Sequence, residues 1–263
     1  MARPIPCRMV PPTDMRIDFV TLFPAMLEGP LSGSIPGRIQ DQGLVEVRIH
    51  DLRTWGLGRH HSVDDTPYGG GAGMVLRPEP IAAALDALRG PQSTVILVDP
   101  GGEVFRQARA TDLATREHLI LICPRYEGVD DRIRDLVDLE LSIGDYVLTG
   151  GELPALVIVD AVIRLLPGAI DAASTAEESF ADGLLEYPQY TRPATFQGRG
   201  VPDVLTGGNH EAVRRWRLEA AIERTEQQRP DLLAERTPSP EERRILERRA
   251  AGMTEGDRSN PAG

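Results

Sequence analysis

The stretch TVILVDPGGEVFRQARATDLATREHLILIC, residues 94–123, contains the pattern that decides the fold. Two largely apolar runs, TVILVD (94–99) and HLILIC (118–123), flank FRQARATDLATR (105–116), which has helical spacing. Short apolar runs bounded by turns are typical of strands buried on both faces, and such strands occur mainly in parallel sheets covered by helices. The stretch therefore predicts a strand, helix, strand unit of an α/β domain.

The same alternation continues on both sides of this stretch. Further strands are predicted at RIDFVTLF (16–23), LVEVRIHDL (44–52) and DLELSI (138–143). Further helices are predicted at PEPIAAALDALR (78–89), DDRIRDLVD (130–138) and ELPALVIVDAVIRLLPG (152–168), the last ended by its Pro-Gly pair. The fold class expected is α/β, with a mostly parallel sheet covered by helices.

The rest of the chain predicts a second, smaller and all-helical domain. NHEAVRRWRLEAAIERTEQQ (209–228) begins with an asparagine cap and places Val213, Trp216 and Ala220 along one side of a helix, so Trp216 is expected in a core. The domains expected are a flexible extension (1–14), a cofactor-binding domain (15–168), a linker with a substrate loop (169–206), a helical domain (207–250) and a disordered tail (251–263). Met15 is an alternative start.

Composition narrows the possible partners. The formal net charge is −11, which argues against nucleic acid, but residues 207–250 carry ten Arg against nine Asp plus Glu, so the other residues carry −12. The helical domain is therefore the expected contact for a polyanion. Because the chain contains no lysine, a Walker A phosphate loop and Schiff-base chemistry are excluded.

The sequence also lacks closely spaced cysteines and long apolar runs, and both absences bear on the class of protein. The two cysteines, Cys7 and Cys123, are far apart, and Cys123 ends an apolar run, so it is expected to be a small buried hydrophobe and neither a disulfide nor a zinc site is expected. No run approaches eighteen apolar residues, and the N-terminus does not resemble a signal peptide. We expect a soluble, cytoplasmic protein with no membrane partner.

Three glycine-containing segments follow predicted strands. They are LVDPGG (97–102), CPRYEGVDDR (123–132) and SIGDYVLTGGELP (142–154). Ligands of open α/β sheets bind at the carboxyl ends of the strands, where these turns lie. In the second segment Glu127 is a candidate acceptor for a ribose or an amine, and Tyr126 a candidate cover for an aromatic base. Ordinary strand-to-helix turns are the alternative for the first two segments, whereas the third has more glycines than a plain connection needs.

A fourth segment, DDTPYGGGAGMV (64–75), packs four glycines into five positions. Glycines permit backbone shapes and close approaches that a Cβ forbids, so the segment suits an anion or a planar base. It does not fit the GxGxxG pattern, because Met74 replaces the last glycine. A mobile structural loop remains the alternative.

Three groups of charged residues are candidates for chemistry or RNA binding. Arg164 lies in an apolar helix, where the alternative is a solvated arginine. Asp182 lies in the loop SFADGLLEYPQYTRP (179–193), where the alternative is a simple turn. The arginines beside Trp216 offer positive charge to RNA; they are Arg214, Arg215 and Arg217.

In their order along the chain, these motifs closely resemble the bacterial tRNA (guanine-N1)-methyltransferases of the SPOUT superfamily. The motifs are DDTPYGGGAGM, CPRYEGVD, SIGDYVLTGGELP, SFADGLLEYPQYTRP and HEAVRRWRLE, and the resemblance covers about residues 15–250. It implies a trefoil-knotted α/β domain, an exception to the rule against knots, and a homodimer with active sites at the subunit interface. It also implies methylation of guanine at tRNA position 37, beside the anticodon, and a requirement for magnesium.

The resemblance assigns roles to residues of this chain. Asp182 of the partner subunit would be the general base that takes the N1 proton of guanine, and Arg164 would stabilise the guanine oxygen or orient the cofactor carboxylate. The residues implied for S-adenosylmethionine are Leu97, Pro100, Gly102, Pro124, Tyr126, Glu127, Gly128, Ile143, Gly144, Asp145, Tyr146, Val147, Leu148, Gly150 and Gly151. Those implied for tRNA are Asp64, Tyr68, Gly69, Gly70, Gly73, Arg214, Arg215 and Arg217. No residue is assigned to a metal.

Two departures from the family pattern concern the cofactor turns. Pro124 replaces the usual glycine and removes one backbone N–H, and DPGG (99–102) replaces the usual SPQG. Two other functions remain as alternatives: a non-catalytic RNA-binding or regulatory protein on the same scaffold, and a related enzyme that methylates another RNA or ribose position. The presence of Asp182, Arg164 and the third segment argues against the first, and the substrate loop and helical domain argue against the second.

Overall fold

The computed structural model describes residues 15–171 and 178–251. The expected extension (1–14) lies outside the described residues, as do nearly all of the expected tail and residues 172–177 of the expected linker. The chain divides into two compact units, residues 1–172 and residues 173–263. Within the described ranges, no helix is long and apolar enough to cross a membrane.

The first unit contains a five-stranded parallel sheet. The strand order is β2-β1-β6-β5-β7, and every neighbouring pair is parallel. The strands are β1 (Arg16–Thr21), β2 (Glu46–Asp51), β5 (Ser93–Val104), β6 (His118–Ile122) and β7 (Leu139–Ser142). A separate antiparallel ladder joins β3 (Asp64–Asp65) to β4 (Val75–Leu76). The predicted α/β fold with a parallel sheet is confirmed.

Helices cover both faces of this sheet. They are α1 (Ala25–Ser32), α2 (Ser34–Asp41), α3 (Pro78–Leu88), α4 (Gln107–Leu113) and α5 (Glu152–Ile163). Successive residues of β6 point to opposite faces of the sheet, and each face packs into its own core. Leu119 and Leu121 belong to one buried cluster, and Ile120 and Ile122 belong to the other. The first cluster includes residues of α1, α2, α4 and α5, and the second includes residues of α3. Burial on both faces explains why the strands have continuous apolar sequences.

Four elements differ from the sequence predictions. The segment expected to form a helix over 130–138 is a 3-10 helix, Asp131–Leu136, since Val137 must return to an extended conformation two residues before β7. The strand expected over 94–99 continues to Val104 as β5. Helices α1 and α2 were not predicted, because Gly29, Pro30, Pro36 and Gly37 interrupt their helical pattern.

The second unit is mainly helical. Its described elements are β8 (Thr195–Phe196), β9 (Arg199–Gly200), α6 (Asp203–Thr206), α7 (His210–Gln228), α8 (Pro230–Ala234) and α9 (Pro240–Ala250). The predicted asparagine cap of α7 is present: Asn209 Oδ1 accepts a hydrogen bond from the Ala212 N–H at 3.1 Å. The core includes Leu184, Ile222 and Ile245, so the segment before the helices packs against them. Trp216 is only partly buried and contacts the ring of Tyr190.

A buried carboxylate lies among the strands of the first unit. Asp18 is fully buried, and its oxygens lie 2.6 Å from His50 Nε2, 2.5 Å from His118 Nε2 and 2.7 Å from Arg16 Nε. Burial acts to raise the pKa of Asp18, but the hydrogen bonds from His50, Arg16 and His118 outweigh burial and lower the pKa below its ordinary value of 3.8. The charged form of Asp18 therefore stabilises the fold.

We expect the free energy of unfolding to fall as the pH drops below about 4, because the unfolded chain then binds a proton that folded Asp18 resists. The contribution of ionised Asp18 to the free energy of unfolding is fully present above the pKa that Asp18 has in the unfolded chain. It is lost as the pH falls through the lower pKa that Asp18 has in the folded chain. Urea titrations from pH 3 to pH 7, in a Trp216→Phe background where Trp55 alone reports on the first unit, measure this dependence. Asp18→Asn should weaken the dependence of the free energy of unfolding on pH, and the exposed control Asp41→Asn should not. An equal pH dependence in both variants would contradict the assignment of this effect to Asp18.

Candidate cofactor pocket and catalytic carboxylate

A pocket of about 230 Å³ lies at the carboxyl edge of the parallel sheet. Its walls come from β5 at Val98–Pro100, from the segment 124–128 after β6, and from the segment 143–151 after β7. Twelve of the fifteen residues expected to bind the cofactor line it: Pro100, Pro124, Tyr126, Glu127, Gly128, Ile143, Gly144, Tyr146, Val147, Leu148, Gly150 and Gly151. The three segments that were separate in sequence are therefore brought together.

The other three expected residues do not line this pocket. Leu97 is fully buried in the core on the α3 face. Gly102 lies against β7, where an added Cβ would come within 2.5 Å of the Glu140 carbonyl carbon. Asp145 is exposed in the third wall. Seven further residues that were not predicted also line the pocket: Val98, Asp99, Arg125, Leu141, Ser142, Thr149 and Pro154. Each lies within or beside a quoted motif, so adjacency was the only signal for them.

Close backbone contacts hold the second and third walls together. The Gly151 N–H donates to the Pro124 carbonyl at 2.8 Å, and a Cβ on Gly151 would lie 2.6 Å from Pro124 Cδ. The proline that replaces the family's glycine therefore packs directly on a position that only glycine fits. In the second wall, Tyr126 has a φ of +61°, a left-handed conformation that a bulky residue rarely adopts. Such strain is typical of ligand sites.

A buried ion pair lies behind these two walls. Glu152, the first residue of α5, is fully buried; its Oε2 lies 2.8 Å from Arg125 Nε, and its Oε1 accepts from the Thr21 hydroxyl at 2.7 Å. The Arg125 side chain also donates to the Thr149 carbonyl at 3.0 Å and lies over the ring of Phe23. One arginine therefore contacts the segment just after β1, the third wall and the start of α5. The sequence analysis assigned no role to either residue of this pair.

The glycine-rich segment is docked against the second wall. The Glu127 N–H donates to the Met74 carbonyl at 3.0 Å, and the Leu76 N–H donates to the Gly128 carbonyl at 2.9 Å. A Cβ on Gly73 would lie 2.4 Å from a carboxylate oxygen of Glu127. At the tip of the segment, Tyr68 is fully exposed. The expected tRNA-binding glycines thus adjoin the pocket at one end, and Asp64 lies in β3.

Arg164 lies apart from the pocket within the same chain. It is the C-terminal cap of α5 and lines a different cavity of about 570 Å³ with residues of α1, α2 and α5. It lies ten residues beyond Pro154, the pocket residue on the same helix, a distance of about 15 Å along the helix axis. Arg164 can therefore act on a cofactor in this pocket only if the arginine and the pocket belong to different copies of the chain.

Asp182 lines a pocket of about 340 Å³ in the second unit. Its Oδ1 accepts a hydrogen bond from the Leu184 N–H at 3.2 Å, and the side chain is exposed. Arg214 and Arg217 line the same pocket, whereas Arg215 lines another cavity. The expected base and two of the three expected RNA-binding arginines are thus neighbours.

The two pocket arginines have different surroundings. The Arg214 guanidinium pairs with Glu211 and Glu241, both at 2.9 Å, and these carboxylates raise its pKa. The Arg217 guanidinium lies 4.7 Å from the ring centroid of Tyr187. Phosphate must therefore displace two carboxylates from Arg214 to bind it, and the Arg217 guanidinium lies over an aromatic ring.

Comparison with known proteins identifies the family. The model of the family described as tRNA (Guanine-1)-methyltransferase TrmD matches residues 15–235. A protein of Moorella thermoacetica named tRNA (guanine-N(1)-)-methyltransferase is 55% identical over 251 residues, 93% of this chain and 100% of the relative. A protein of Dictyoglomus turgidum with the same name is 53% identical over 234 residues, 89% of this chain and 96% of the relative. The chain therefore belongs to the family of tRNA (guanine-1)-methyltransferases.

Proposed function

We propose that this chain transfers a methyl group from S-adenosylmethionine to N1 of guanine at position 37 of tRNA, next to the anticodon. The convergence of three strand-end loops on one pocket is the observation that carries the proposal. Neither alternative function has an observation that favours it. A non-catalytic protein would not need both the pocket and the carboxylate at Asp182.

The pocket suits a small amphipathic ligand that contains an aromatic base. It combines apolar side chains with carboxylates and backbone groups, and four exposed apolar residues surround it: Tyr126, Tyr146, Val147 and Leu148. Apolar groups exposed together at a pocket are typical of a surface that a ligand covers. We assign the methyl donor to this pocket and the predicted cofactor-binding residues to its walls.

Asp182 is proposed as the general base. Guanine N1 carries a proton at neutral pH and becomes a good nucleophile as that proton leaves. In the step, the N1–H electron pair forms the bond to the methyl carbon, the carbon–sulfur bond breaks with its electrons going to sulfur, and the proton goes to the Asp182 carboxylate. A positioned carboxylate typically accelerates such a step about 10²–10⁴-fold. Arg164 is proposed to stabilise the negative charge that develops on the guanine oxygen or to orient the cofactor carboxylate.

The proposal includes a homodimer, with Asp182 acting on the pocket of the partner subunit. The separation of Arg164 from the cofactor pocket within one chain supports it, as do the exposed apolar side chains Leu153 and Val157 one turn apart on α5. Exposed apolar residues at this spacing are typical of a helix face that another chain covers. The trefoil knot implied by the resemblance remains part of the proposal, as do the bounds of the two domains and their linker.

Magnesium is not built into the proposed mechanism. Among residues 15–171 and 178–251, no group of three or more His, Cys, Asp or Glu side chains could hold a metal ion. No step above depends on a metal ion held by the protein.

Methylation of tRNAs that differ only at position 37 tests the proposal. With radiolabelled S-adenosylmethionine, tRNA with guanine 37 should be methylated, and the matched tRNA with adenine 37 should not, because adenine lacks the N1–H donor and the carbonyl oxygen that Asp182 and Arg164 are proposed to recognise. Nuclease digestion then locates the label. Equal labelling of both tRNAs would exclude the assigned position, and no labelling of either would exclude the activity.

A further inference from the structure

The first wall of the cofactor pocket is a bulge in β5. The strand pairs with β7 at Val98 opposite Leu141, and then again at Glu103 opposite the same Leu141. Residues 99–102 are thus extruded from the ladder, and Asp99 and Pro100 reach the pocket. A bulge of four residues has lost its ladder hydrogen bonds, so other contacts must fix its position.

Both carboxylate oxygens of Asp99 make contacts that hold the bulge in place. Its Oδ1 accepts from the Gly101 N–H at 2.8 Å, which closes the turn. Its Oδ2 lies 3.3 Å from the Arg134 guanidinium, and only 18% of the Asp99 side chain is exposed. The turn is therefore tied to a residue that lies outside it.

Arg134 contacts elements connected to all three walls. It lies in the 3-10 helix that follows the second wall, where its Nε donates to Asp131 at 2.9 Å. It also pairs with Glu140 on β7, the strand that leads into the third wall. Although burial acts to lower the pKa of Arg134, Asp99, Glu140 and Asp131 together raise it above its ordinary value. Arg134 itself does not line the pocket.

We propose that Arg134 is a positioning residue for the methyl donor, because its guanidinium fixes the β5 bulge relative to β7 and the 3-10 helix. The inference rests on the proposed function, in which S-adenosylmethionine occupies this pocket. An isolated exposed ion pair contributes little to stability, but a guanidinium shared by three carboxylates on three elements has few alternative geometries. Loss of Arg134 should therefore alter the pocket more than it alters the fold.

Calorimetric titration of S-adenosylmethionine into the full-length protein tests this role. Arg134→Met, which keeps the length and removes the charge, should weaken binding about tenfold, or about 1.4 kcal/mol. The KM for S-adenosylmethionine should rise by a similar factor, while kcat and the KM for tRNA should change little. Arg132→Met is the matched control: Arg132 lies in the same 3-10 helix, is 71% exposed and pairs with Asp130, so its loss should leave donor binding unchanged.

Asp99→Asn tests the same Asp99–Arg134 contact from the side of its other partner. The asparagine oxygen can still accept from the Gly101 N–H, so the turn is kept while the link to Arg134 is weakened. Because Asp99 also lines the pocket, the double variant is needed to separate the loss of this link from a direct effect of the lost charge on the donor. The double variant Asp99→Asn/Arg134→Met should bind the donor no more weakly than Arg134→Met alone, because both changes break one contact.

The outcomes separate this inference from the proposed function. If the unaltered chain does not bind S-adenosylmethionine, the pocket assignment fails. If the unaltered chain binds it but Arg134→Met and Asp99→Asn bind equally well, only the positioning role fails. If Arg134→Met does not fold, normal binding by Asp99→Asn still overturns the role, and weakened binding supports it.

Discussion

Asp182→Asn is expected to lower turnover about 10²–10⁴-fold, the usual contribution of a positioned general base. The substitution is nearly isosteric, and an asparagine oxygen can still accept the 3.2 Å hydrogen bond that Asp182 Oδ1 receives from the Leu184 N–H. The turn before the helices should therefore keep its shape and lose only its basic group. Single-turnover methylation of guanine-37 tRNA measures the effect on the chemical step.

Binding measurements separate a lost base from a lost site. Calorimetry should give unchanged affinity for S-adenosylmethionine, since Asp182 is not among the residues that line the cofactor pocket. Asp203→Asn, which alters another exposed aspartate of the second unit, should have little effect on turnover. Near-normal turnover of Asp182→Asn would exclude the base role, whereas turnover restored by saturating tRNA would indicate a binding role instead.

The sequence was sufficient to predict the sheet, because its strands are buried on both faces and therefore have continuous apolar runs. The same reasoning fails for α1 and α2, where tertiary contacts stabilise helices whose glycines and prolines break the local pattern. A Cβ at Gly37, for example, would lie 2.2 Å from the Ser32 carbonyl oxygen. In this case a glycine that weakens the helical pattern is needed for close packing of the backbone.

The pocket was predictable at the level of segments and less so at the level of side chains. Turns after parallel strands must meet at one edge, which is why most of the expected cofactor residues converge there. The supporting pairs, Asp99 with Arg134 and Arg125 with Glu152, join residues 35 and 27 positions apart in the chain. Nothing in the local pattern indicates which of the many acids and arginines are partners, because that depends on the register of the strands.

Glu152→Ala is expected to destabilise the first unit by about 3–5 kcal/mol, the usual cost of removing one partner of a buried ion pair. Glu152 is fully buried, so its removal leaves Arg125, which is 13% exposed, without its counterion and leaves the Thr21 hydroxyl without its acceptor. The negative charge also lies at the N-terminus of α5, where the helix dipole favours it. Urea unfolding followed by Trp55 fluorescence, in the Trp216→Phe background, measures the loss.

Two comparisons identify the cause of that loss. Glu152→Gln keeps a carbonyl oxygen for Thr21 but loses the charge. Its free energy of unfolding should therefore lie between those of the unaltered chain and Glu152→Ala. Glu79→Ala removes an exposed acid from the first turn of α3, where its partner Arg77 remains solvated, and should change the free energy of unfolding little. Because Arg125 lines the cofactor pocket, Glu152→Gln should also weaken S-adenosylmethionine binding. A stable Glu152→Ala variant that binds the donor normally would show that the pair holds neither the fold nor the pocket walls.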